Sequence, residues 1–190
     1  MTINQDHDKK VTLYLDSEGI FGHGNSDELD ALIFSTTTLL SSHVIYNTLK
    51  VIDQVSVDKL DLLAKRSHLF QVNAGGSTNF IAFPHLSFVV RDFHQQFSQT
   101  QSDANKWLNS YISGSRSHDQ QSIRTLFPSI KAFTLPYPHK DMKVLADLSK
   151  IDSASLSPEF RTDFAQLKKY VSEMTPVKTM KQEPIMGPSK

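Results

Sequence analysis

Short apolar, β-prone runs alternate with amphipathic helical segments along most of this 190-residue chain. Parallel neighbouring strands need long crossover connections, and a helix is the usual crossover. The alternation therefore predicts an α/β domain with a mostly parallel sheet and flanking helices. The predicted strands are Val11–Leu15, Val44–Tyr46, Leu86–Val90 and Ile130–Leu135.

Capping residues and apolar spacing mark the predicted helices. The last one opens at Ser157-Pro158, with serine at the cap and proline in the first turn. Its apolar face carries Phe160, Phe164, Leu167 and Val171. Earlier helices are predicted after Asn25-Ser-Asp-Glu28 and over Val57–Val72, Ser102–Ile112 and Gln120–Phe127.

The chain is expected to hold one domain, residues 1–174, followed by a tail. Residues 175–190 contain three prolines and show no apolar periodicity, so they are interpreted as a linker. A length of 190 residues is enough for a single domain with a substantial core.

Composition excludes several classes of protein. The formal net charge is zero, so no whole-molecule field favours nucleic acid or an anionic membrane. There is no cysteine, which excludes a disulfide framework and a cysteine zinc site. Residues 1–10 are too polar for a signal peptide, and no apolar run is long enough to cross a bilayer. We therefore expect a cytoplasmic protein without a membrane segment.

An Asp-x-x-Gly motif, Asp16-Ser-Glu-Gly19, follows the first predicted strand. A carboxylate at a strand tip can hold a magnesium-bound water, and glycine lets a backbone N–H approach a phosphate oxygen closely. Aspartate and glycine are also common in ordinary turns. Taken alone, the motif favours the turn.

The third predicted strand ends abruptly in Arg91-Asp92. An aspartate at this point can accept hydrogen bonds from the N1–H and the exocyclic amine of guanine. The arginine can lie against the purine or steady the loop. The alternative is an exposed ion pair that contributes little.

The position of these segments in the predicted sheet strengthens the functional interpretation. Ligands of open parallel sheets bind beyond the carboxyl ends of the strands. We expect Asp16-Ser-Glu-Gly19, Arg91-Asp92 and the loop over residues 135–151 to meet at that edge.

Other kinds of site find no support in the sequence. The eight histidines include no helical pair at metal-ligand spacing, and no Gly-x-Ser-x-Gly nucleophile elbow is present. The phosphate-loop signature Gly-x-x-x-x-Gly-Lys-[Ser/Thr] does not occur in these 190 residues.

Short motifs follow one another along the chain at Leu13–Gly19, Leu39–Ser42, Tyr46-Asn47, Asp58–Leu60, Val89–Phe93 and Leu156–Phe160. In this order they resemble the large GTPases of the guanylate-binding protein and atlastin group. Glu18 stands where guanylate-binding proteins carry glutamate and atlastins usually carry glutamine, so the former are the closer match. The resemblance covers most of the chain and extends into the tail at Thr179–Pro188.

The resemblance implies roles for the residues after the first strand. Asp16 would lie near a Mg²⁺ ion through water, and Gly19 would sense the γ-phosphate of GTP. Glu18 would help to order the attacking water.

It also implies how the base is held and how the domain associates. Arg91 and Asp92 would contact guanine in GTP or GDP, with Asp92 giving specificity. Residues 136–150 would form a guanine cap that meets a second G domain in a dimer.

Similar proteins place the phosphate loop, a catalytic arginine and the first switch ahead of the Asp-x-x-Gly strand, and Met1–Lys10 cannot contain them. The expectation is a P-loop NTPase-like G domain lacking its first strand, phosphate loop and first switch. Such a chain would bind GTP with impaired hydrolysis, because those parts neutralise and position the phosphates. One alternative is a non-enzymatic interaction or regulatory module derived from such a GTPase. Another is a mis-predicted gene start or a pseudogene fragment.

Overall fold

A computed structural model describes residues 2–5, 11–17, 20, 26–73, 82–97, 103–113, 122–147, 151–180 and 183–184. The strands are β1 (Thr2–Gln5), β2 (Val11–Tyr14), β3 (His43–Leu49), β4 (His85–Arg91), β5 (Ile130–Thr134), β6 (Thr179–Met180) and β7 (Glu183–Pro184). The helices are α1 (Asp27–Leu40), α2 (Gln54–Asn73), α3 (Ala104–Ser113), α4 (Ser122–Leu126), α5 (Met142–Leu145) and α6 (Pro158–Met174), with a 3-10 helix at Ser153–Ser155.

The main sheet has the order β3-β4-β5, and both of its pairings are parallel. The register aligns Tyr46 with Phe88 and Phe88 with Ala132. Helix α2 connects β3 to β4, and α3 and α4 lie between β4 and β5 in the chain. The prediction of a mostly parallel sheet with flanking helices is therefore confirmed.

Alternate residues of the central strand β4 pack into different apolar clusters. Phe88 and Val90 belong to the larger cluster, which includes residues of α1, α2, α3 and α4. Val89 belongs to a smaller cluster with Leu135 and with Leu167 of α6. This alternation is what a strand buried on both faces requires.

Side-chain hydrogen bonds fix the helices on the larger cluster. Ser26 caps α1 by accepting from the Leu29 N–H at 3.3 Å, as the sequence predicts. The hydroxyls of Ser35 in α1 and Ser67 in α2 lie 2.9 Å apart in the buried interface. The contact between Ser35 and Ser67 satisfies hydroxyls that burial would otherwise leave without partners, whereas the Ser26 cap is exposed.

The edges of the main sheet differ. The Asn105 side-chain oxygen in α3 accepts from the Ala132 N–H of β5 at 2.8 Å, so a helix covers that edge. In the part of the chain that the structure describes, no strand pairs with the outer edge of β3. Ile45 and Leu49 of β3 are exposed beside it.

The first predicted strand is wrong in its burial and its neighbours. Val11–Tyr14 does form a strand, but it pairs antiparallel with β1 in a separate two-stranded sheet. Leu13 is 50% and Leu15 59% exposed. A two-stranded ribbon without a packed face cannot bury an apolar run, and sequence periodicity cannot reveal which partner a strand will find.

The described start of the tail contacts the domain. The Lys178 ammonium donates to the carbonyls of Ser41 at 2.7 Å, Ala82 at 2.6 Å and Thr38 at 3.4 Å. Thr38 and Ser41 lie at the C-terminal end of α1, where a cation complements the helix dipole. Partial burial lowers the pKa of Lys178 to about 8.

Among the described helices, none is long and apolar enough to cross a membrane.

Lys178→Met is expected to destabilise the protein by roughly 1–3 kcal/mol, because it keeps the apolar stem but leaves three carbonyls without their donor. Urea unfolding at pH 7 measures the change, and hydrogen exchange across residues 175–180 should rise. Lys169→Met is the matched control, since that side chain is 75% exposed in a weak i,i+4 pair. Equal stability of the two variants would contradict the role given to Lys178.

His43 connects the start of β3 to β4 and to the end of α6. The Thr175 hydroxyl donates to the Val171 carbonyl, so its oxygen can accept from His43 Nδ1–H at 3.1 Å. His43 Nε2 lies 2.8 Å from the Ser87 hydroxyl, which it can accept from. These partners fit a neutral ring. Burial, with His85 adding a smaller effect, lowers the pKa of His43 to about 4.

Stability should therefore fall as pH drops from about 6.5 towards 4. In that window the unfolded chain binds a proton at His43 and the folded chain does not. The urea midpoint of each protein is measured at pH 7.5 and at pH 4.5. Comparing the variants with the wild type separates the contribution of His43 from that of other groups that titrate in this range. His43→Gln should lose less stability over this range than the wild type, whereas His94→Gln, at an exposed position, should behave like the wild type. Identical pH profiles for all of these proteins would rule the assignment out.

Candidate functional site

The carboxyl end of β4 turns sharply at Asp92. This residue has φ 55°, in the left-handed region that aspartate and asparagine tolerate better than most residues. Lys50, which follows β3, also has a positive φ of 66°, and its N–H donates to the Arg91 carbonyl at 2.7 Å. Two adjacent strands thus end in linked turns at the same edge of the sheet.

The Arg91 guanidinium is fixed by the neighbouring strand. Its Nε–H donates to the Asn47 side-chain oxygen at 2.8 Å, and the side chain is otherwise exposed. The described residues show no ion pair between Arg91 and Asp92. The interpretation of Arg91-Asp92 as a simple exposed ion pair therefore finds no support in the structure.

An aromatic cluster holds the segment that follows Asp92. Phe93 and Phe97 stack with ring centroids 5.1 Å apart, and both approach Trp107 of α3, at 5.8 and 5.9 Å. Aromatic contacts of this kind add to the free energy of burial. The backbone after Asp92 is consequently anchored to α3.

The loop predicted as a cap begins beside this turn. Phe93 N–H donates to the Leu135 carbonyl at 3.0 Å, and Leu135 N–H donates to the Val90 carbonyl at 2.8 Å. Farther along the loop, Asp141 caps the short helix α5 by accepting from the Lys143 N–H at 2.9 Å. The Ser157 N–H then donates to the Pro138 carbonyl at 2.8 Å, which ties the loop to the start of α6.

The profile described as "Guanylate-binding protein, N-terminal domain" matches residues 1–180. The chain belongs to the guanylate-binding protein family. Guanylate-binding protein 1 of Mus musculus is 29% identical over 197 aligned positions, covering 92% of this chain and 33% of that protein. Guanylate-binding protein 2 of Homo sapiens is 27% identical over 206 positions, covering 96% and 35%. Guanylate-binding protein 4 of Mus musculus is 25% identical over 196 positions, covering 93% and 31%.

The chain therefore spans about a third of the length of these guanylate-binding proteins. What it shares with them is the N-terminal domain, which agrees with the observed α/β sheet.

Of the predicted site residues, the structure brings only part together. Arg91, Asp92 and the start of the 135–151 loop meet at the carboxyl edge of the sheet. Asp16 is exposed after β2, which is not a strand of that sheet. Glu18 and Gly19 lie outside the described residues. The roles of all five residues remain predictions.

Asn47 was not among the predicted site residues. It is exposed in mid-strand. The parallel register aligns Asn47 with Val89, two residues before Arg91, and so brings its side chain within reach of the Arg91 guanidinium. The Tyr46-Asn47 pair had already appeared among the motifs of the family resemblance. That was the available signal, but the contact itself is tertiary.

Proposed function

We propose that this chain binds guanine nucleotides at the carboxyl edge of its main sheet, as part of a guanylate-binding-type GTPase domain. The observation that carries the proposal is the turn at Asp92. It is supported by Lys50, Asn47 and the aromatic cluster, and it leaves the aspartate only partly buried. A carboxylate carried by this constrained backbone turn offers the two acceptors that guanine requires.

Arg91 supports the base site as a positioned cation. Its bond to Asn47 limits where the guanidinium can lie, so less side-chain freedom is lost when a nucleotide binds. The loop over residues 136–147 begins next to Asp92 and is the element proposed to cover the base and to meet a second G domain.

Mg²⁺ would accompany the nucleotide. It usually keeps several waters and is held by one or two protein carboxylates together with substrate phosphates. The described residues contain no cluster of three or more metal-ligating side chains, and the exposed Asp16 can supply a single carboxylate. We propose that Asp16 takes this limited role through a water, with Glu18 attending the attacking water and Gly19 the γ-phosphate.

Hydrolysis by the 190-residue chain itself is expected to be poor. The printed sequence contains no phosphate-loop signature, so no lysine of that motif is available to neutralise the β- and γ-phosphates. Full family activity, coupling to dimerisation and a cytoplasmic location are proposals for the protein in which this domain works.

A non-enzymatic interaction module is the second candidate. The specific observation in its favour is the separation of β2, and with it Asp16, from the main sheet. In that case the cap loop would act as a contact surface for relatives and not as a cover for a nucleotide.

Titration with fluorescent GDP and GTP, with and without Mg²⁺, separates these functions. Saturable binding that ADP does not compete for supports the proposed nucleotide site. The absence of guanine-specific binding up to millimolar nucleotide concentration favours the interaction module. A phosphate-release assay on the same protein should show little turnover. Turnover that matches a complete guanylate-binding protein measured alongside would contradict the predicted impairment.

A further inference from the structure

An apolar groove of about 430 Å³ lies between the 3-10 helix segment and the first half of α6, apart from the Arg91-Asp92 turn. Phe160 and Phe164 form its main wall, with stacked rings whose centroids are 5.6 Å apart. Phe160 packs on the smaller core cluster, whereas Phe164 is 42% exposed. The lining residues are Ser153, Leu156, Phe160, Arg161, Phe164, Ala165 and Lys168.

Four of the five α6 residues in this lining form a regular stripe, and Phe160 lies beside it. Arg161, Phe164, Ala165 and Lys168 are spaced i, i+3, i+4 and i+7, and all are exposed. Residues at this spacing share one face of a helix. The Lys168 ammonium lies 5.9 Å from the centre of the Phe164 ring. The face thus combines an apolar centre with two cations.

The carboxylates of α6 lie away from this stripe. Glu159, Asp163 and Glu173 occupy positions outside the i, i+3, i+4, i+7 series that begins at Arg161. Glu173 pairs with Lys169, 3.9 Å away. Beside the groove, Asp152 accepts from the Ala154 N–H at 3.1 Å as the cap of the 3-10 helix. The residues that line the groove thus include two cations and no carboxylate, and Asp152 borders it at one end.

We propose that this groove is a docking site for an acidic amphipathic helix of a partner protein. Helix-in-groove recognition uses apolar anchors at i, i+3 or i+4 and i+7, which would pack against Phe160, Phe164 and Leu156. Carboxylates beside those anchors would pair with Arg161 and Lys168. The small side chain of Ala165 lets another helix approach closely. The inference does not depend on nucleotide binding.

An anionic membrane is the competing explanation for a cationic apolar face. Membrane-surface helices lay a projecting apolar face into the headgroup region, and they usually carry many cations. Here the apolar surface is recessed between two segments and carries two cations, while the whole chain has zero net charge. These features favour a helix over a lipid surface.

The test uses the 190-residue protein without nucleotide and a fluorescein-labelled synthetic helix. The probe is a 20-residue peptide with leucines spaced i, i+3, i+4 and i+7 and glutamates beside them, compared with a version carrying lysine in place of glutamate. Anisotropy should show saturable binding of the acidic peptide and at least about tenfold weaker binding of the basic one. Binding should weaken as salt is raised from about 50 to 500 mM.

Charge reversal provides the sharper result. Arg161→Glu with Lys168→Glu should weaken the acidic peptide by at least about tenfold and strengthen the basic peptide. Phe164→Ser should weaken the acidic peptide by a similar factor, since an aromatic anchor is lost. Lys106→Glu is a control for a single charge reversal outside the groove, at an exposed position on α3, and should leave binding unaltered. Asp92→Asn should also bind the peptide normally.

Three results would overturn the proposal. The first is binding of the acidic peptide that is insensitive to both groove variants. The second is binding of vesicles containing phosphatidylserine, lost in Phe164→Ser, without binding of the peptide. The third is concentration-dependent self-association that needs Phe164 and Arg161, again without peptide binding, which would identify a second copy as the occupant. Circular dichroism of each surface variant confirms that the fold is retained before binding is compared.

Discussion

Replacing Asp92 with asparagine is expected to lower guanine affinity relative to xanthine affinity by about a hundredfold or more, because a site built to pair specific polar groups rejects a mismatch strongly. The aspartate can accept from both N1–H and the exocyclic amine of guanine. An asparagine amide keeps the acceptor for N1–H but places a donor opposite the C2 substituent. Xanthine carries an oxygen there and guanine an amine, so the preference should reverse.

The backbone makes asparagine the informative substitution. Asp92 has φ 55°, a region that asparagine also tolerates, so the variant should keep the stability of the wild type. Asp92→Val should instead lose about 1–3 kcal/mol, because a β-branched residue is strained in that region. Competition of fluorescent GDP with unlabelled xanthosine diphosphate, and separately with unlabelled guanosine diphosphate, measures the preference between the two bases. An Asp92→Asn protein that still prefers guanine would refute the contact assigned to the carboxylate.

Truncating Phe88 to alanine is expected to cost about 3–5 kcal/mol of unfolding free energy. Phe88 is 1% exposed at the centre of β4, and its ring centroid lies 4.9 Å from that of Tyr46 on β3. The substitution leaves a cavity where all flanking elements are already packed, so little relaxation can fill it. Because domains of this size are stable by only about 5–15 kcal/mol, the variant should lie near the limit of folding at 37 °C.

Phe164→Ala supplies the comparison for this loss. It removes the same atoms from a ring that is 42% exposed, so its cost should be about 1 kcal/mol or less. Urea unfolding of both variants at pH 7 gives the difference directly. A Phe88→Ala protein no less stable than Phe164→Ala would mean that β4 is not the centre of the core.

Sequence patterns predicted the helices and the main sheet closely because their signals are local. Ser26 and Ser157 cap α1 and α6 as expected, and the apolar run Leu86–Val90 lies within β4. The run Val11–Leu15 has the same local character, but its burial depends on which strands lie beside it. That choice is made by contacts between segments far apart in the chain, which periodicity does not encode.

The candidate site could likewise be predicted where its signals are local, but not where it depends on contacts between strands. Arg91-Asp92 could be located as the abrupt end of an apolar strand, and its closeness to the 135–151 loop followed from parallel topology. The Asn47–Arg91 hydrogen bond and the left-handed turn at Asp92 could not be derived. The first depends on the register between strands, and the second on a backbone angle that aspartate tolerates but does not require.

The uncovered edge of β3 has a practical consequence for the purified domain. Its seven residues carry Ile45 and Leu49, 47% and 50% exposed, along a row of backbone groups that no described strand engages. Such an edge is a template on which another extended chain can add, and proteins usually protect it with charge. Asn105 of α3 protects the opposite side of the sheet at Ala132. Together with the exposed ribbon that contains β2, this edge should favour self-association of the purified domain, and Ile45→Lys or Leu49→Lys should reduce the contribution of β3.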